Sequence, residues 1–263
     1  MQQNRPKLYF SHPGCNFVLM FEAVMSYGES IAWSPVITAV IFDIDGTILD
    51  SVDLHAKAWQ EAFEHFGYTF SFERIRSQIG KGGDQLLPVF LSEEERKTKG
   101  DEIKEYRGEL FKKKYLNQVK PFPGVRDLFL RIKSNGQWNA LASSAKGDEL
   151  ETFAKIAGVD DLLDTAASSA DAEKSKPHPD IFEAALAKLG DSIDRQSVVV
   201  VGDSPYDAEA AKKAGLLMVG VLCGGFAETD LRAAGAHSIY SGPNELLKRF
   251  DQTPLSGGGG RRG

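Results

Sequence analysis

The chain is poor in cysteine, holds no long apolar run and carries no excess of positive charge, and each shortage closes off a class of protein. Its 263 residues contain two cysteines, Cys15 and Cys223. Two thiols cannot build a disulfide framework, they show no metal-ligand spacing, and they suit a reducing cytoplasm. Lysine and arginine total 31 against 37 aspartates and glutamates, a formal net charge of -6. A general nucleic-acid or membrane-surface binder needs a basic face, so this balance argues against both; an anionic substrate would have to be met by local cations. The apolar stretch at residues 17–20 is soon interrupted by Glu22 and followed by Tyr27-Gly28-Glu29-Ser30. That falls far short of the roughly 20 residues of a membrane span, and no basic region leads into an apolar core ending in small residues. Residues 1–34 are therefore read as an N-terminal extension of uncertain order with no targeting role. What is present, 42% hydrophobic and 26% charged residues, is ordinary for a globular protein, and the length allows one large domain or two small ones with a proper core.

The apolar residues are organised as short runs. Val36-Ile37-Thr38-Ala39-Val40-Ile41-Phe42 stops abruptly at Asp43-Ile44-Asp45-Gly46-Thr47. Such a run fits a strand buried on both faces, as in a parallel sheet. Further strands are expected at residues 138–142, 197–201 and 217–222, separated by helical patterns at 125–133, 149–157, 181–189 and 208–214. Gly158, Gly190 and Gly215 stand where helix C-caps fall, and Pro179 and Pro205 stand near helix starts. Strands alternating with helices imply right-handed crossovers and an α/β fold with a doubly wound, Rossmann-like parallel sheet.

Between the first strand and residue 120 the rhythm changes. Val52, His55, Trp59, Ala62 and Phe66 mark one helical face ended by Gly67, and Ser92-Glu93-Glu94-Glu95 is a capping box opening a long charged helix to about Tyr115. Residues 52–120 are read as an all-helical insertion large enough to be a small domain. Residues 35–51 and 121–250 form the α/β core, with Pro121-Phe122-Pro123-Gly124 as the hinge between the two, and residues 251–263 a flexible, Gly-rich tail.

In an open parallel sheet, ligands bind beyond the carboxyl ends of the strands, and the polar clusters of this chain fall there. Asp43 and Asp45 follow the first strand, Ser143 and Ser144 another, Gly202-Asp203-Ser204 a third, and Lys176-Pro177 lies in the loop before a further helix. These residue types suit phosphoryl transfer. A carboxylate can attack phosphorus to give an aspartyl phosphate. A second acid two positions on can protonate the leaving oxygen and then deprotonate a water. Mg²⁺ prefers oxygen ligands from a few carboxylates, and a hydroxyl with an ammonium can steady the phosphoryl oxygens.

In this arrangement Asp43-Ile44-Asp45-Gly46-Thr47 resembles the signature of the haloacid dehalogenase superfamily. Ser143 resembles its second motif, Lys176 in Lys-Pro-His-Pro-Asp its third, and Gly202-Asp203-Ser204-Pro205-Tyr206-Asp207 its fourth, over residues 36–250. The resemblance implies Asp43 as nucleophile and metal ligand, and Asp45 as acid and base with its backbone carbonyl on the metal. It further implies that Ser143 and Lys176 hold the phosphoryl group, that Asp203 ligates Mg²⁺, and that Asp207 supports it. Thr47 and Ser144 are expected near the substrate, and the helical insertion matches the superfamily's cap. In the related β-phosphoglucomutases a histidine matching His55 takes part in transfer; Lys81, in Gly80-Lys81-Gly82-Gly83, is the cap residue best placed to meet an anion.

Competing readings are weaker. A calcium loop beginning at Asp43 needs a glutamate at its twelfth position, where Leu54 stands. His55 on an apolar helical face reads equally as a packing residue, and Trp59 and Phe63 read as core. Asp45 disfavours the dehalogenase branch, which lacks that second acid, and the fourth motif has the phosphatase form rather than that of the mutases. The expectation is Mg²⁺-dependent hydrolysis of a small phosphate monoester, similar to phosphoglycolate phosphatases, by a cytoplasmic monomer or homodimer acting on a small phosphorylated metabolite, without nucleic acid or membrane. A phosphosugar mutase is the alternative enzyme. A non-hydrolytic phospho-acceptor or binding module would need neither the helical insertion nor Asp45.

Overall fold

The structure is a computed structural model that describes residues 36–257. The expected N-terminal extension, Cys15 and the glycines and arginines from Gly258 onward lie outside the described residues, apart from what is said of 251–257 below.

The first apolar run becomes β1 (Ala39–Phe42), whose four residues are wholly buried. It is flanked by β4 (Trp138–Ala142) and β6 (Val198–Gly202), both parallel to it. With β5 (Thr165–Ala167), β7 (Leu217–Val221) and β8 (Ser238–Tyr240) they form a six-stranded sheet in the order β5-β4-β1-β6-β7-β8, parallel throughout. The chain winds outward from β1 to β5, then returns to β6 on its other side. The strand order therefore reverses at β1, and such a switch point opens a crevice beyond the strand ends. Alternate residues face opposite layers. Val40, Phe42, Val199 and Val201 join one apolar cluster, and Ala39, Ile41, Val198 and Val200 the other. On the second face the alanines Ala140, Ala142, Ala208 and Ala211 let helices approach closely.

Between β1 and the rest of the sheet, residues 52–118 are helical: α1 (Val52–His65), α2 (Phe72–Arg76), α3 (Gly83–Phe90) and α4 (Glu93–Leu110), then a π-type turn at Phe111–Tyr115. Ser92 and Glu95 form the expected capping box of α4. Val52, Ala56, Trp59, Phe63, Ile75 and Leu86 pack into a cluster separate from the two sheet faces. Where the segment leaves and rejoins the core, β2 (Leu49–Asp50) pairs antiparallel with β3 (Lys120–Pro121), so its two ends run side by side.

The remaining helices flank the sheet: α5 (Val125–Ser134), α6 (Gly147–Ala157), α7 (Asp180–Leu189), α8 (Pro205–Lys213), α9 (Glu228–Ala234) and α10 (Pro243–Lys248). Three details depart from the sequence expectation. Residues 36–38 lie before β1, where Val36 is exposed. The edge strands β5 and β8 have three residues each, too short to show a period. Residues 251–257, expected to be flexible, form two tight turns that bury Leu255, whose carbonyl accepts a 2.6 Å hydrogen bond from Gln137 Nε2. Among the described residues no helix is long and apolar enough to cross a membrane.

Candidate active site

β1 delivers Asp43 to the crevice: its N–H continues the ladder to Val201 O at 2.9 Å. The chain then folds back on itself, with the N–H groups of Ile48 and Leu49 both donating to Ile44 O. Gly46 sits in the bend at φ +85, and a Cβ there would lie 2.3 Å from Asp203 Oδ2. Both its backbone and its lack of a side chain are therefore required.

β6 delivers Asp203 alongside. The next residue, Ser204, caps α8 reciprocally with Asp207, whose Oδ2 accepts from Ser204 N at 3.0 Å and Ser204 Oγ at 2.6 Å. That capping box fixes Asp207 Oδ2 and turns Oδ1 towards Lys176 Nζ, 2.7 Å away. Lys176 also donates to Asp43 Oδ1. Asp43, Lys176, Asp203 and Asp207 are 7%, 2%, 1% and 0% exposed, so their charges meet almost without solvent.

One carboxylate oxygen from each of Asp43, Asp203 and Asp207 lies within 4.8 Å of the others. Three carboxylates and one ammonium leave two negative charges uncompensated in a buried site. The protonation balance responds to this. Burial, with Asp207 and Asp45 adding, pushes Asp43 up to about 7 against the opposing pull of Lys176. Burial, with Asp207 and Asp43 adding, raises Asp203 well above the usual carboxylate range. Burial would lower Lys176, but Asp207 and Asp43 outweigh it and hold the ammonium above its ordinary value. Among the described residues, Asp203 Oδ2 is buried without a hydrogen-bond partner, and Asp207 Oδ1 has only its ion pair to Lys176. A Cβ on Gly224 would come within 1.7 Å of Asp203 Oδ2, so the glycine keeps that oxygen clear. Hard oxygen donors, unsatisfied and carrying two excess charges, fit a divalent cation.

Thr47, expected near the substrate, is fully buried, and its hydroxyl lies 3.3 Å from both Asp43 Oδ2 and Asp203 Oδ1. With one proton it donates to one carboxylate at a time, so here it aligns the acids. Ser143 is buried beyond β4, and its Oγ accepts from Ala145 N at 3.1 Å, leaving the hydroxyl proton free to donate. Asp45 turns away from the cluster. Its Oδ1 accepts from Ser51 Oγ at 2.5 Å and pairs with His55 Nε2 at 2.9 Å. Burial would raise Asp45, but its pairing with His55, with Ser51 and Arg107 adding, outweighs it and holds it at about 2. Its side chain is 21% exposed and faces a cavity of about 430 Å³.

Asp45, His55, Lys81, Arg107 and Ser144 line that cavity. A smaller recess of about 20 Å³ shares Ser144, Ser169 and Ser175 with it and is lined by Lys176. The structure thus places Asp45, His55, Lys81 and Ser144 on one open space, and Asp43, Thr47, Lys176, Asp203 and Asp207 in the buried cluster. Lys81 Nζ donates to Gln78 Oε1 at 2.7 Å and sits 4.5 Å from the ring centroid of Tyr206. Arg107 is the residue that sequence reasoning missed. Buried Gly100, Ile103 and Phe111 lie seven and four residues to one side of it and four to the other. An arginine on the inward stripe of an otherwise charged helix was the available signal.

The sequence model of the haloacid dehalogenase-like hydrolases matches residues 40–221. The chain belongs to this family. Among haloacid dehalogenase-like relatives, phosphoglycolate phosphatase of Yersinia pestis is 30% identical over 193 residues, covering 72% of this chain and 82% of that protein. Phosphorylated carbohydrates phosphatase of Thermotoga maritima is 29% identical over 210 residues, covering 80% and 96%. The crystal structure of a hydrolase from Pseudomonas syringae superposes with a TM-score of 0.73 at 27% identity, over 82% of this chain and 98% of that one. The chain is accordingly an enzyme, a phosphatase of the haloacid dehalogenase-like family, while the relatives' names differ in substrate.

Proposed function

We propose that the enzyme hydrolyses a small phosphate monoester with Mg²⁺, through an aspartyl phosphate on Asp43. The observation that carries this reading is the buried cluster itself: a carboxylate held by a buried lysine, beside two further carboxylates that leave room and charge for one dication.

Asp43, Asp203, Asp207 and the backbone carbonyl of Asp45 would hold the ion, and bound there it supplies the positive charge that lets an anionic ester approach Asp43. Lys176 and the free hydroxyl proton of Ser143 receive phosphoryl oxygens. Asp43 attacks phosphorus, the bond to the ester oxygen breaks, and Asp45 gives that oxygen a proton so that an alcohol departs. Asp45, now ionised, takes a proton from water as the water attacks the aspartyl phosphate, releasing inorganic phosphate and restoring Asp43. As held by Ser51 and His55, Asp45 is a base; to act first as an acid it must exchange one of these partners for a proton destined for the leaving oxygen.

The helical segment 52–118 acts as a cap over the crevice. Its contacts to the core support a closed state: Arg76 Nη2 donates to Gly224 O at 2.9 Å, Tyr206 Oη to Ser77 O at 2.5 Å, and Ser175 N to Asp84 Oδ2 at 3.1 Å. The cavity beneath it suits a small phosphorylated metabolite, and the half-buried free thiol of Cys223 suits a cytoplasmic setting. Release of phosphate from p-nitrophenyl phosphate, measured with and without Mg²⁺, tests this. The wild type should turn over only with the metal and Asp43→Asn should not; undiminished release by Asp43→Asn would sink the reading. A phosphosugar mutase is the second reading, favoured by the bond between His55 and Asp45. It requires phosphohexose isomers to interconvert without stoichiometric phosphate.

A further inference from the structure

We propose that Arg107 is a positioning residue for proton transfer: it fixes the tautomer of His55 and thereby aims the Asp45 carboxylate. The inference rests on the phosphatase reading above, in which Asp45 protonates the leaving oxygen.

A guanidinium has N–H donors and no acceptor. Arg107 Nη2 lies 2.8 Å from His55 Nδ1, so Nδ1 must accept. The ring proton then resides on Nε2, which donates to Asp45 Oδ1 across 2.9 Å. Without Arg107, the Nδ1–H tautomer opens to the ring, and it would turn the Nε2 lone pair against the carboxylate. Histidine orientation is commonly set in this way, by the bond its other nitrogen makes.

The ring has no freedom to adjust by rotation. His55 is buried and stacks on Phe111 with centroids 4.0 Å apart and planes within 3°, and Phe153 meets it edge-on at 6.3 Å. Arg107 is itself steered by aromatics, with its guanidinium carbon 5.2 Å from the Trp59 ring and 5.6 Å from the Phe111 ring. Arg107 and Phe111 stand one turn apart, where α4 passes into the π-type turn. The helical segment therefore presents a donor and a stacking platform to the same imidazole. Asp45 has one further partner among the described residues, Ser51 Oγ, on the same oxygen, so His55 and Ser51 together set its direction towards the cavity.

This role predicts a bias by leaving group. An alkyl phosphate needs its departing oxygen protonated, whereas p-nitrophenolate leaves with little help. Arg107→Met keeps the aliphatic stem and removes every donor. It should lower kcat/KM, which reports the first transfer and not the later hydrolysis common to all esters, by about tenfold to a hundredfold on alkyl phosphates, the scale of a misplaced catalytic group, and by less than about threefold on p-nitrophenyl phosphate. Arg107→Lys, which restores one donor, should recover most of the alkyl activity. His55→Ala supplies a second route that leaves α4 intact: it should show the same bias, and adding Arg107→Met to it should cost nothing more on alkyl esters. A readout independent of turnover is the ¹⁵N spectrum of His55 at mildly alkaline pH. It should show protonated Nε2 and bare Nδ1 in the wild type, and an averaged or reversed pair in Arg107→Met. Equal losses of kcat/KM on both ester classes, or an unchanged tautomer, would overturn the inference while leaving the phosphatase reading intact. Failure of the wild type on every ester would overturn the reading and the inference with it.

Discussion

The rim of the sheet and the helical segment above it use charge in opposite ways. At the rim, Asp43, Lys176, Asp203 and Asp207 are almost without solvent, and each is placed by a strand end or by the loop or cap beside it. In the helical segment, Lys81 and Arg107 are only partly covered and reach the cavity from the sides of turns and helices. Burying four ionised groups costs folding free energy unless their charges are matched, and here three acids face one base. A bound cation would relieve this excess at the rim, whereas the helical segment carries no such buried cluster of like charges among the described residues. In the proposed mechanism chemistry belongs to the first region and selection of substrate to the second.

The largest effects should come from breaking the rim. Asp43→Asn removes the nucleophile and should lower kcat by about 10⁴-fold or more, in line with the loss of other covalent catalytic groups. Trapping of radiolabelled phosphate on the chain checks it: the acid-stable label expected at residue 43 of the wild type should vanish. Lys176→Met leaves three buried carboxylates without their only counter-ion among the described residues. Removing one partner of a buried pair typically costs about 3–5 kcal/mol, and denaturant unfolding in EDTA should show a loss of this size. Mg²⁺ should restore part of it, because a ligand bound only by the folded state adds stability, about 2.7 kcal/mol at a hundred times its Kd.

The same frustration should be visible as a function of pH. Asp43 is raised to about 7 in the folded state from an ordinary 3.8, so between these values the folded protein binds more protons than the unfolded one. Stability contributed by the protonated form is therefore lost as pH rises through that window, with a slope of at most about 1.4 kcal/mol per pH unit for one group. Asp45, held at about 2, works in the opposite sense and below the window, where stability falls on further acidification. Tm measured in EDTA should decline between about pH 4 and 7, and Mg²⁺, which favours the ionised acids, should flatten the decline. A flat metal-free profile would show that the rim is less frustrated than its geometry implies.

The contrast also explains what could be read in advance. A strand buried on both faces leaves a run such as Val40-Ile41-Phe42, and an acid at its end is conspicuous, which is why Asp43, Lys176, Asp203 and the sheet were legible. The edge strands were not, because Ser238-Ile239-Tyr240 is too short for a period to show. The contact of the Thr47 hydroxyl with the acids was not legible, because nothing in the sequence says that the chain bends at Gly46 to bring it there. Arg107 was lost among the charges of α4, whose weak amphipathicity hides which arginine faces inward. The inward face is decided by Trp59 and His55, residues distant in sequence that only packing brings together, with Phe111 one turn away.

The smallest effects should come from the helical segment, and there selectivity matters more than size. Lys81 lies on the cavity wall, and burial, opposed by Glu209, lowers its ammonium below the ordinary value. Its hydrogen bond to Gln78 and its place over Tyr206 hold it beside the crevice, with no acid salt-bridged to it among the described residues. Lys81→Ala should therefore leave the rim's chemistry alone and weaken only substrates with a polar or anionic group beyond the phosphate. The expected loss in kcat/KM is about tenfold for those esters, the worth of one charge-assisted hydrogen bond, and less than about twofold for p-nitrophenyl phosphate. A panel of esters ranked by kcat/KM in both proteins measures it. Equal losses across the panel would place Lys81 with the rim and remove the division of labour between the two regions.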